Sequence, residues 1–133
     1  MIDLNELNWL AILGATLAAF ALGGIWYGPL FGKAWMSALG KTEEELQPSP
    51  TPFVVSFFTA LLTCICVAYL MAALAIEGVG AGVVFGAATG VGFIATAMAS
   101  DSAFCRWGLP LFLIQAGYRV AYAILMGAII GAF

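Results

Sequence analysis

Charged residues are spaced along this chain so that four long stretches carry almost none. Residues 7–32, between Glu6 and Lys33, are uncharged. Residues 46–76, between Glu45 and Glu77, are uncharged too, although Pro48, Pro50 and Pro52 shorten the helical run to 53–76. Residues 78–100 carry no charge, and 107–133 are interrupted only by Arg119. A helix needs roughly 20 apolar residues to cross the hydrocarbon core of a bilayer. The spacing therefore predicts an all-α, integral membrane bundle of four transmembrane helices, one domain over 1–133, with spans at 8–30, 53–76, 79–100 and 108–131. Composition agrees. Of 133 residues, 64% are hydrophobic and 8% charged, against about 25% charged in an ordinary soluble domain. The lipid bilayer is the first partner this implies.

The first stretch is too long, and its leader "MIDLNELN" too acidic, for a cleaved signal peptide, so it is read as a span. Loop charges then predict orientation. Lys33, Lys41 and Arg106 fall in the two loops that share one side, while the other side carries no Lys or Arg. By the positive-inside rule both termini lie outside the cytoplasm.

The first span opens at Trp9 and closes at Trp26 and Tyr27, the aromatic-belt pattern of an interface. Pro29 bends or ends it. In "FGKAWMSALGK", Phe31, Trp35 and Leu39 repeat every four residues, with Lys33, Ser37 and Lys41 turned elsewhere. This predicts a short helix lying in the interface between spans 1 and 2. Thr42 and Glu45 have capping-box spacing, "QPSPTP" reads as an extended entry, and Pro52 suits the first residue of span 2. "WYGPLF" and "WGLPLF" share W-x-x-P-L-F, on one side of the membrane.

Gly78, Gly82, Gly86 and Gly90 recur every four residues in the third span. Glycine weakens a helix, so the ladder must serve the close approach of another backbone. Thr89, Thr96 and Ser100 fall within about 40° of the same face, and span 2 has a stripe of small polar residues at Ser56, Thr59, Thr63 and Cys66. The ladder suits tight packing within the bundle, or alternatively a dimer seam or the wall of a pathway.

Little in the chain serves chemistry. There is no histidine, the commonest general base and metal ligand. Cys64, Cys66 and Cys105 match neither zinc nor thioredoxin spacing and are expected to be free thiols. No metal, cofactor or catalytic residue is expected, and the protein is read as not an enzyme. The net charge of −3 offers no nucleic-acid surface.

Arg119 is the exception in an apolar span. It lies nine residues, about 13 Å, from Pro110, where insertion of arginine costs about 2.5–3.5 kcal/mol. Gln115 and Tyr122 share its stripe, and Tyr118 flanks it. A helical side chain leans toward its own N-terminus, so Arg119 leans toward Gln115, while Asp101 at the end of span 3 leans inward. These residues are read either as a structural tie built on an Arg119–Asp101 ion pair, or as a polar intramembrane site for a small solute or ion.

At "NWLAI", "WYGPLFGKAWM", "TEEEL" and "LFLIQAGYRVAYAILMGAIIGAF" the chain resembles a bacterial membrane family catalogued as domain of unknown function 1761, over nearly its full length. The resemblance implies a small four-span protein of the bacterial inner membrane, without an agreed activity. It also implies that an acid or Asn precedes the Ala-Gly-Tyr triplet in relatives, where this chain has Gln115. Two functional classes remain: a homo-oligomeric transporter or channel for a small solute or ion, and a non-catalytic accessory or scaffold protein.

Overall fold

The computed structural model describes residues 1–46 and 49–133. Among these the protein is helical throughout, with no strand. Helix α1 (Trp9–Ile25) continues through a wider π-helical turn (Trp26–Leu30), and the short α2 (Gly32–Leu39) follows. Helix α3 spans Thr51–Ala73. Helix α4 (Val79–Thr89), a second π-helical stretch (Gly90–Ala95) and α5 (Thr96–Cys105) form the third long rod, and α6 covers Leu109–Ala132. Four helical segments are long and apolar enough to cross a membrane: Trp9–Leu30, Thr51–Ala73, Val79–Cys105 and Leu109–Ala132.

The boundaries differ from expectation in three places. The third segment does not stop at Ser100 but runs to Cys105, so Asp101 sits inside a helix. An aspartate whose side chain points to solvent costs too little helix propensity to end one; the left-handed backbone of Arg106 (φ 55°) does so. The second segment ends at Ala73, three residues early, where Leu74 and the positive φ of Ala75 turn the chain. It starts at Thr51, so Pro52 takes the second helical position, where its missing N–H is equally harmless. Thr42–Glu45 forms one turn closed by Glu45 N donating to the Thr42 carbonyl. Of the expected extended entry at 47–52, Gln47 and Pro48 lie outside the described residues.

Helix α6 is the hub, and α4, α1 and α3 all pack against it. The buried core joins Ile12, Ala15 and Ala19 of α1 with Cys64, Ala68 and Met71 of α3 and Tyr122, Ala123 and Met126 of α6. The alanines let the axes come close, the main source of attraction between helices in lipid. The most extensive pairing is α4 with α6. Built on Gly82, a Cβ would fall on the Gly127 carbonyl; on Gly86, on that of Ala123; on Gly90, against the Cα of Val120. At the far end Gly78 N donates to the Gly131 carbonyl at 3.0 Å, directly linking the two backbones. The small polar stripe of α3 does not meet the ladder. Thr59 and Cys66 are exposed, and Thr59 and Thr63 hydroxyls donate to carbonyls of their own helix.

All three cysteines are free, with Cys64 buried and Cys66 and Cys105 exposed.

Candidate functional site

The other side of α6 is built from large side chains. Pro29 cannot donate a helical hydrogen bond, and Gly28 leaves helical geometry (φ −104°, ψ −107°). The chain therefore kinks after Tyr27 and re-enters a helix at Gly32, which brings Tyr27 and Trp35 edge to face, 5.0 Å between ring centroids. Lys33 is exposed on the opposite side of α2. Trp26 donates its indole N–H to the Ile114 carbonyl of α6 at 2.9 Å, tying the end of α1 to the start of α6. Tyr118 donates to the Ala19 carbonyl at 3.0 Å, and Tyr122 to the Thr63 hydroxyl at 3.4 Å. Both tyrosines are buried, and their hydroxyl groups anchor α6 to α1 and α3.

Arg119 lies between these tyrosines in sequence and against both in space. Its guanidinium carbon is 5.4 Å from the Tyr118 ring centroid and 5.3 Å from that of Tyr122. An aromatic face attracts a cation, and more so when water is scarce. The hydroxyl groups of both rings are engaged elsewhere, so the rings hold the guanidinium by their faces and leave its N–H groups free to meet something else.

The expected ion pair with Asp101 does not form. Among the described residues no carboxylate lies within 4.0 Å of Arg119, and Asp101 is exposed on α5. The reason is geometric. The third rod meets α6 through its glycine half, and contact thins along α5, whereas Arg119 is turned to the side where α1 and α3 lie. Gln115 and Tyr122 do not complete its hydrogen bonds either; Gln115 instead lies beside it on the wall of a groove.

That groove has a volume of about 590 Å³ and lies between the end of α1, α2, the first turns of α3 and the middle of α6. Arg119, Gln115, Tyr27, Trp35 and Ser56 supply its polar lining, and Phe20, Phe53, Tyr118 and the Gly23–Gly24 pair its apolar surface. Trp35 and Tyr27, read from sequence as interfacial anchors, thus share a cavity with Arg119. Sequence reasoning missed Phe20, Phe53 and the Gly23–Gly24 pair; the adjacent glycines just before an aromatic belt were the available signal. Asp101 and the ladder glycines do not line the groove.

Residues 10–131 match the family described as "Protein of unknown function (DUF1761)". The chain belongs to this family. No curated protein and no solved structure matches it. Membership in DUF1761 accords with the likeness seen at the Trp26–Met36 and Leu111–Phe133 stretches, and it brings no activity with it. What the groove does must be argued from its own side chains. No three of the described Cys, Asp and Glu residues come together in a way that would hold a metal ion.

Proposed function

We propose that this DUF1761 protein is a non-enzymatic, multi-pass membrane protein that binds a small solute or ion in the Arg119 groove and conducts it across the bilayer as a homo-oligomer. One observation carries the reading: a guanidinium without a carboxylate partner among the described residues opens on a cavity of about 590 Å³. Ionisable groups within membrane segments are costly and mark ligand or ion pathways. The homo-oligomer follows from size. The Arg119 groove is confined to one end of the bundle, and exposed apolar side chains such as Phe58, Val84 and Phe93 leave outer faces for lipid or a second copy. In the orientation proposed from Lys33, Lys41 and Arg106, both termini lie outside the cytoplasm and the groove opens toward it. A reporter fused at Phe133 should give the extracytoplasmic signal; a cytoplasmic signal reverses the groove's direction.

The experiment is flux of a panel of small ions and solutes in liposomes containing the wild type or Arg119→Gln. Arg119-dependent flux of one member supports the reading, and equal flux throughout removes it. A second reading, a scaffold in which Arg119 is structural, is favoured by its stacking on two tyrosines that anchor neighbouring helices. On that reading Arg119→Gln changes stability and nothing else.

A further inference from the structure

We infer that the ligand of the Arg119 groove is an amphiphilic monoanion: one negative charge on oxygen, carried on an apolar body. The inference rests on the groove being a ligand site, and four features of it specify the class.

The first is charge. Among the described residues Arg119 is the only charged one lining the groove, so a cation would be repelled and a neutral solute would leave the guanidinium uncompensated. A dianion would bring one charge too many into a poorly solvated site. A single negative charge closes the balance.

The second is the donor set. Arg119 presents a planar fork suited to two oxygens, beside the Gln115 amide and the hydroxyl groups of Ser56 and Tyr27. Trp35 also lines the groove, and its indole nitrogen is buried, with no hydrogen-bond partner among the described residues. An indole N–H can only donate, and a buried donor left unpaired is destabilising. A ligand oxygen would relieve it once the Trp35 ring turns its N–H toward the groove.

The third is size. Pockets that hold organic ligands run to roughly 300–1,000 Å³, and this one is about 590 Å³. A halide or an acetate would leave most of it unfilled. Phe20, Phe53 and the glycine pair offer the remaining length to an apolar chain, and Phe53 is exposed at 66%, so that end is open to the surroundings.

The fourth is unused space. Gly24 and Gly28 both line the groove, yet a Cβ built on either meets nothing within 4 Å. On neighbouring Gly23 it would strike the Tyr118 hydroxyl at 2.9 Å. Gly23 is therefore small for packing, whereas Gly24 and Gly28 border room the chain leaves empty. This makes a test, because a Cβ fits at Gly24 and Gly24→Leu is expected to fill the groove and leave the fold intact.

Two sources carry this chemistry: a free monocarboxylate and the phosphodiester of an anionic lipid. The probe is tritiated decanoate, with equilibrium binding measured in a neutral maltoside detergent. The wild type should bind it saturably. Arg119→Gln should weaken binding about tenfold or more, and Arg119→Lys should recover part, since charge returns without the fork. Gly24→Leu should abolish binding with its melting temperature unchanged, which keeps the test alive if Arg119→Gln fails to fold. Decanol, acetate and sulfate should compete poorly, lacking the charge, the body and the single charge respectively. In phosphatidylcholine nanodiscs, displacement of decanoate on adding phosphatidylglycerol identifies a lipid phosphodiester as the occupant; retention identifies the free carboxylate. Decanoate binding unchanged in both Arg119→Gln and Gly24→Leu, or sulfate competing as well as decanoate, overturns the inference. If a cation or hydrophilic solute binds in an Arg119-dependent way and decanoate does not, the ligand class falls while the groove reading stands. If no probe gives Arg119-dependent binding, both fall.

Discussion

Helix α6 has two working faces, and they are built on opposite principles. Toward α4 the contact is backbone on backbone, with Gly127 of α6 opposite Gly82 and Gly131 against the Gly78 carbonyl, and no room for a methyl group on Gly82, Gly86, Gly127 or Gly131. Toward α1 and α3 the contact also carries rings: Trp26, Tyr118 and Tyr122 anchor the helices by indole and hydroxyl hydrogen bonds, and Tyr27 packs edge to face on Tyr118. Small residues maximise dispersion and exclude everything else. Large rigid residues span a gap and leave a groove beside themselves, and Arg119 occupies that gap. The difference teaches that in a four-helix membrane protein a cavity need not come from extra helices. Alternating the size of residues around one central helix creates it.

The same substitution on the two faces should separate them most sharply. Gly86→Leu drives a side chain into the backbone at Ala123 and Ile124 and should cost about 3 kcal/mol in equilibrium unfolding in mixed micelles. Gly24→Leu, on the groove side, should stay within about 0.5 kcal/mol of the wild type. Equal costs would erase the distinction between the faces. A middle effect is expected at the anchors: Tyr118→Phe loses one buried hydrogen bond to the Ala19 carbonyl and should cost about 1 kcal/mol. The smallest concerns Asp101, exposed and unpaired with Arg119. Asp101→Asn should change stability by less than about 0.5 kcal/mol, and a double-mutant cycle with Arg119→Gln should show no coupling. Coupling above about 1 kcal/mol would restore the ion pair.

Much of the architecture was legible because its causes are local. Uncharged runs of about 20 residues answer directly to bilayer thickness, and four of them announced four membrane-length helices. The kink near Pro29 follows from a missing N–H. Legibility ended where the outcome depends on how helices rotate about their axes. Asp101 and Arg119 lean toward each other on a diagram of two adjacent spans, yet which face of α6 meets the third rod is decided by glycine packing many residues away. For the same reason Trp35 read as a lipid anchor, since nothing in "GKAWMSAL" says that the kink at Gly28 folds it back against Tyr27 and α6. Arg119 stood out from the sequence, but the composition of its surroundings did not.

The central claim is that Arg119 is held for a ligand rather than for the fold. The most direct measurement is the melting temperature of the wild type and Arg119→Gln in neutral detergent, each with and without decanoate. Without ligand, removing an unpaired cation should leave the melting temperature equal or raise it, since an uncompensated charge in a membrane segment opposes folding; with decanoate, only the wild type should gain stability. A large drop for ligand-free Arg119→Gln, with decanoate shifting both proteins equally, would show that Arg119 is a structural tie and contradict the account.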